Sequence, residues 1–186
     1  HSDVDAETSK LVQFQIDQVD RLTSLVRTLL EMSNLQSVSR SDEIELAPLI
    51  DEILTDLTTL AEQKNITFHQ NCEDICMIGS DTLIYRLLFN LIENAIKYTP
   101  ANGQIFVSLH LEQNKVIFSV TDNGPGLSEI QKERIFDRFY RVDESRAEVN
   151  GTGLGLAIVE KNVQELHGTI DVVSILGKGT TFTVSL

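Results

Sequence analysis

Apolar positions along this chain recur at two periods, and the switches between those periods outline its elements. Residues 8–36 read as one long helix. Val12, Val19, Leu22, Val26 and Leu29 fall on heptad a and d positions, and Leu11, Leu25 and Leu30 widen the stripe. So broad a stripe calls for a partner helix, from a second chain or from a segment outside these residues; packing on its own globular domain is the alternative. Ser37–Glu43 is polar and reads as a linker. Ile44–Leu46 predicts a short strand. Ala47–Lys64 predicts a helix, with Pro48 near its first turn and Leu49, Ile50, Ile53, Leu54, Leu57 and Leu60 at helical spacing. Ile66–Gln70 and Ile75–Ile78 are short strands, and Asp81–Tyr98 is a helix that Thr99-Pro100 ends. Gln104–Leu111 and Lys115–Thr121 alternate apolar and polar positions about a turn at Gln113-Asn114. A helix over Gly153–Leu166 stops at Gly168, and strands Thr169–Ile175 and Thr180–Leu186 flank a turn at Gly177–Gly179. Helices and strands mix without a strict βα repeat, which predicts an α+β two-layer sandwich over residues 41–186, led by a helix and linker over 1–40.

Charge and composition narrow the function classes. The chain has 186 residues and a formal net charge of −13, which argues against nucleic acid as the main partner, because phosphate backbones are held by an excess of Lys and Arg. Residues 1–64 carry 13 acidic and 5 basic side chains, a net of −8, which leaves −5 for the remainder. The later part is therefore nearer neutral, as a phosphate-binding region would be. No stretch reaches the roughly 20 apolar residues of a membrane span. No signal-peptide pattern opens the chain. Cys72 and Cys76 are the two cysteines, which suits a reducing compartment. With His69 they form H-x2-C-x3-C, but no fourth ligand lies in range, so buried or half-buried thiols are expected rather than zinc.

Four short elements carry the chemistry: NLIENAIKY at 90–98, DNGPG at 122–126, GTGLGLA at 151–157 and GKGTTF at 177–182. At about 100° per residue, Arg86, Asn90, Glu93, Asn94 and Lys97 share one stripe of the Asp81–Tyr98 helix while Leu87, Leu88, Leu91, Ile92, Ala95 and Ile96 fill the other. An Asn carbonyl oxygen suits Mg²⁺, and Lys97 can meet phosphate, although a solvated helix face has the same composition. Asp122 follows an apolar strand, where its carboxylate can accept from an adenine amino group, and Gly124 and Gly126 admit a ligand close to backbone. The same five residues are also a good turn. Between Gly126 and Gly151 lie 24 residues, too many for a passive connection. Ile135, Phe136, Phe139 and Tyr140 alternate there with Arg134, Arg138, Arg141 and Arg146, which reads as a mobile lid anchored by aromatics with some arginines reaching phosphate, or else as an ordinary surface helix with a staple of aromatics. GTGLGLA opens a helix, and glycine-rich amides with a helix N-terminus behind them form an anion site. A dinucleotide fingerprint would need a preceding strand, and here a polar segment precedes. GKGTTF is either a hairpin turn or the wall beneath a base. Together the four elements describe a nucleotide site.

In that order the elements resemble the N box, glycine boxes and, with IFDRFYR at 135–141, the F box of sensor histidine kinases, within the superfamily shared with gyrase-type ATPases and heat-shock chaperones. The resemblance spans residues 44–186, and 8–36 resemble the second helix of the dimerisation and phosphotransfer hairpin. It implies a Bergerat ATP-binding fold, a mixed sheet with helices on one face. It implies ATP and Mg²⁺ as ligands, with Asn94 on the metal and Asp122 on adenine. Asn90, Asn94 and Lys97 would be the catalytic residues, with Lys97 and Arg141 toward the phosphates. Tyr98, Gly124, Gly126, Leu127, Phe136, Arg138, Phe139, Gly151, Thr152, Gly153, Leu154, Gly155, Leu156 and Thr180 would complete the nucleotide site.

Two departures qualify what is expected. Gyrase-like ATPases carry a water-activating Glu one turn before the metal-binding Asn, and Asn90 stands there instead. Transfer to a nitrogen nucleophile is therefore expected over hydrolysis. The family's acceptor His precedes an acidic residue and has Pro five positions on; Ala6, Asp74, Lys115 and Val172 follow His1, His69, His110 and His167 at that distance, so none fits. The expectation is a fragment of a longer, homodimeric sensor, in the cytoplasmic portion of a membrane-anchored parent. The parent would supply the acceptor His helix and pass the phosphoryl group to a response regulator receiver domain. A nucleotide-sensing binding module and a gyrase-like ATPase are the alternatives.

Overall fold

The computed structural model describes residues 41–142 and 153–186, together with Thr8, Leu11, Val12, Gln15, Val19 and Val26. The chain divides into two compact units, residues 1–37 with 150–152, and residues 38–149 with 153–186. In the first unit the six described positions are helical and exposed. The rest of the expected 8–36 helix lies outside the described residues.

The second unit begins with β1 (Asp42–Glu45), α1 (Leu46–Asp56), α2 (Thr58–Gln63), β2 (Thr67–Cys72) and β3 (Cys76–Gly79). The helix expected over Ala47–Lys64 is thus two helices. Leu57 separates them, and next to it the hydroxyls of Thr55 and Thr58 donate back to the carbonyls of Asp51 and Leu54, the back-bonding that bends helices. The first strand starts at Asp42, two residues before its expected start, because its register with β3 runs from Asp42 opposite Gly79 to Glu45 opposite Cys76.

Next come α3 (Asp81–Tyr98), β4 (Gln104–Glu112), β5 (Lys115–Asp122), α4 (Glu129–Arg134), α5 (Gly155–Glu165), β6 (Thr169–Ile175) and β7 (Gly179–Ser185). Ser80 caps α3 by accepting from the Leu83 amide, and Pro100 follows its end. Gln113 and Asn114 both have positive φ (49° and 67°), as a two-residue hairpin turn requires, so the predicted turn is where the sequence puts it. α4 lies in the 24-residue stretch read as a lid, where a surface helix is the alternative reading, and it buries no residue. A capping box starts it, with Ser128 and Gln131 each accepting from the other's amide.

The main sheet has the order β2-β4-β5-β7-β6, parallel between β2 and β4 and antiparallel elsewhere; β1 and β3 form a separate pair. The mixed sheet that the family resemblance implies is present. Strand alternation buries one of its faces. Val107, Val120 and Phe182 form one cross-strand row, and Leu109, Phe118 and Val184 the next. All six are buried. α3 packs against β5, α1 and α5, inserting Leu87, Leu88, Leu91, Ile92, Ala95 and Ile96 into the core. Each of these leucines and isoleucines contributes about 1.5–3 kcal/mol, and Ala95 less. The opposite face of α3, with Asn90, Asn94 and Lys97, stays half-buried, which leaves room for a cleft beside it.

Candidate nucleotide site

Asp122 ends β5 on the buried side of the sheet. Its row runs from Ile105 through Asp122 to Thr180, so the alternation that buries Val116, Phe118 and Val120 buries a carboxylate next. Burial pushes the Asp122 carboxyl above its ordinary value, while bonds from the Gly124 and Thr180 amides pull it back. The Gly124 amide lies 2.8 Å from Oδ1. A carboxylate held this way gains from any further donor that reaches it.

The DNGPG turn is wedged between two elements distant in sequence. On one side, a Cβ on Gly124 would lie 2.8 Å from the Tyr98 carbonyl oxygen at the end of α3. On the other lies the β6–β7 hairpin, which GKGTTF closes. The Gly177 amide donates to the Pro125 carbonyl at 2.7 Å, and the Leu127 amide donates to Ser174 Oγ at 2.8 Å. Ser174 Oγ in turn lies 2.9 Å from Thr180 Oγ1. The two motifs, more than fifty positions apart in the chain, are thus one bonded unit.

Beside this unit is a cleft that opens to solvent and is lined mainly by apolar groups. Of the expected site residues, Asn94, Tyr98, Asp122, Gly126, Leu127, Leu156 and Thr180 line it. Pro125, Ile135, Tyr140, Val142 and Phe182 line it too; of these only Phe182, at the end of GKGTTF, had a reading as part of a wall beneath a base. Phe182 was legible, since it shares an inward strand face with Thr180. Tyr140 was named only as an anchor of its segment; Arg134 stacks over its ring at 4.5 Å and holds it as a wall.

Other expected residues stand around the cleft rather than on it. Asn90 donates to the Arg86 carbonyl at 2.6 Å, and its Oδ1 would be 3.1 Å from a Cβ on Gly155, so it abuts the start of α5. Lys97 is paired with Glu93 at 2.8 Å. The expected helix start at Gly153 moves to Gly155, because Gly153 has φ +70° and its carbonyl accepts from the Phe139 amide at 2.9 Å. That contact clasps the two ends of the intervening segment. Leu154 is buried behind it. Phe136 is half-buried against the core, whereas Phe139 and Arg138 are exposed, so one of the two phenylalanines expected to anchor the segment does not. Arg141 is half-buried. Gly151, Thr152 and Arg146 lie outside the described residues.

Among the described residues, no group of three or more His, Cys, Asp or Glu could hold a metal ion. A cation here would depend on the amide oxygen of Asn94, on water and on ligand phosphates, a donor set that fits Mg²⁺. Cys72 is half-buried, and Cys76 is exposed rather than buried because it faces outward from the β1–β3 pair, opposite Glu45, while Ile44 and Met77 take the side toward the core. No helix among the described residues is long and apolar enough to cross a membrane.

Comparison with known proteins agrees with this geometry. Residues 79–186 match the family described as histidine kinase-, DNA gyrase B- and HSP90-like ATPase. The chain is 36% identical over 173 residues to the sensor histidine kinase RppB of Synechocystis sp. (strain ATCC 27184 / PCC 6803 / Kazusa), covering 89% of this chain and 38% of RppB. It is similar to the nucleotide-free catalytic domain of histidine kinase ThkA, with TM-score 0.69, 31% identity, and coverage of 80% of this chain and 95% of that one. It is also similar to ThkA in complex with the response regulator protein TrrA, with TM-score 0.75, 29% identity, and coverage of 92% and 48%. The chain spans less than two fifths of the length of the curated relatives it matches. A mixed sheet under helices, a buried aspartate beside an open cleft, and these matches together place the chain in the histidine kinase-, DNA gyrase B- and HSP90-like ATPase family, among the catalytic domains of sensor histidine kinases.

Proposed function

We propose that the cleft binds ATP with Mg²⁺, and that in a longer parent the γ-phosphoryl group passes to a histidine and then to an aspartate of a response regulator receiver domain. The observation that carries this reading is Asp122, a carboxylate buried beside an apolar cleft where an adenine amino group would add a further donor to those of the Gly124 and Thr180 amides. Leu127, Leu156 and Phe182 offer apolar walls for a base. The glycine-flanked start of α5 supplies backbone amides for phosphate oxygens. Asn94 would hold Mg²⁺, which when bound neutralises charge developing on the transferred group. Lys97 would exchange Glu93 for phosphate. Asn90, with its amide on a backbone carbonyl, offers no base to activate water, which favours transfer over hydrolysis. The parent's acceptor helix, homodimerisation through residues 8–36 and membrane anchoring belong to the same reading, with residues 1–40 as the partial hairpin and linker and 41–186 as the catalytic domain. The kinase–regulator complex of ThkA and TrrA supports the choice of partner.

Two measurements test it. Titration with ATP should show affinity that rises on adding Mg²⁺, and Asn94→Ala should lose about tenfold of that affinity only when Mg²⁺ is present. The chain, given ATP labelled at the γ position and a separate hairpin carrying the parent's histidine, should label that histidine. Steady release of free phosphate without histidine labelling would count for a gyrase-like ATPase instead. Binding without either product would count for a sensing module.

A further inference from the structure

Helix α3 ends at Tyr98, two residues before Pro100, which leaves its last carbonyls without intrahelical partners. A residue far from the four motifs takes them up. Lys64, just after α2, donates through Nζ to the carbonyl oxygens of Ile96 at 2.9 Å, Lys97 at 2.7 Å and Thr99 at 3.1 Å. Its own carbonyl accepts from the Asn102 amide at 2.8 Å. One side chain therefore fixes the last turn of α3 and the turn that follows it.

The carbonyl left out of this set is that of Tyr98, the one that faces Gly124. Gly124 in turn donates its amide to Asp122 Oδ1. We infer that Lys64 is a positioning residue for base recognition: by holding the carbonyls on either side of Tyr98 it seats the DNGPG turn, and so aims the Asp122 carboxylate into the cleft. A positive charge at a helix C-terminus is favourable in itself, but three convergent bonds at one end of the helix that bears Asn94 and Tyr98 do more than offset a dipole. They set that end in position.

This inference rests on the ATP reading proposed above, and its test separates the two. Calorimetric titrations of the whole chain with ATP and with GTP, both with Mg²⁺, report base recognition directly, since guanine presents a carbonyl where adenine presents an amine. In Lys64→Met, ATP affinity should fall about tenfold while GTP affinity holds, so discrimination between the bases shrinks. In an Asp122→Asn background the same change should have little further effect, because the two act on one contact. If Lys64→Met does not fold, Lys64→Gln, which keeps a shorter donor, should show the same base-selective loss. Equal losses for ATP and GTP, or no loss for either, would overturn the positioning role. A wild type that does not prefer ATP would instead overturn the site assignment itself.

Discussion

Gly179→Ala is expected to lower the unfolding temperature by roughly 10 °C or more, and to remove nucleotide binding with it. Gly179 has φ +128°, a conformation L side chains rarely adopt, and a Cβ there would lie 1.9 Å from the Asp122 carbonyl oxygen. Backbone strain of about 1–3 kcal/mol and overpacking of a similar size add to a cost of about 3–5 kcal/mol. A domain of this size holds only about 5–15 kcal/mol in total. Neither cost can be relieved by a side-chain rotation, since the obstacle is backbone. Gly177, two residues earlier, is the internal control. Its φ is +78°, yet nothing lies within 4 Å of an added Cβ, so Gly177→Ala should cost about 1 kcal/mol. A thermal melt in which both variants behave alike would show that the hairpin does not grip the Asp122 turn.

Asp122→Asn should separate binding from folding. ATP affinity should fall about 100-fold, the effect of losing a charged acceptor from a buried contact. Stability should hold or rise. The sign follows from burial. The Asp122 carboxyl sits above its ordinary value in the folded protein, so between the unfolded and folded values the native state binds more protons. Stability contributed by this group is therefore greatest at low pH, and is lost as pH rises through the folded value. Asparagine carries no such charge and escapes that loss at neutral pH. Nucleotide binding should run the other way, because a donor on the carboxylate favours its ionised form. ATP affinity should increase as pH rises through the unliganded value of Asp122, and the Asn variant should lack that slope. A variant that melts well below wild type would show that Asp122 is a structural group and not a ligand-facing one.

Much of the scaffold was legible because each signal was local. The 3.6-residue period of α3 and its Thr-Pro stop gave its bounds directly, and the alternation of β4 and β5 gave both their faces and the turn at Gln113-Asn114. The split at Leu57 was not legible, since apolar spacing continues across it and the threonine hydroxyls that bend the chain carry no periodic signal. α4 was legible only as the surface-helix alternative to a lid, without bounds, for another reason. It is short and buries no residue, so hydrophobic pattern is silent and only the Ser128–Gln131 spacing marks it.

The site divides along the same line. By itself the sequence determined which residue types were on offer: an amide-bearing helix face, a carboxylate after an apolar strand, and glycines where backbone must come close. Tertiary structure decided which of them share a cleft. Strand register set Asp122 beside Thr180, the crossing of α3 and α5 brought Asn90 against Gly155, and Lys64 reached across more than thirty residues to the end of α3. Those contacts depend on where separate elements pack, and periodicity reports a face without naming what that face will meet.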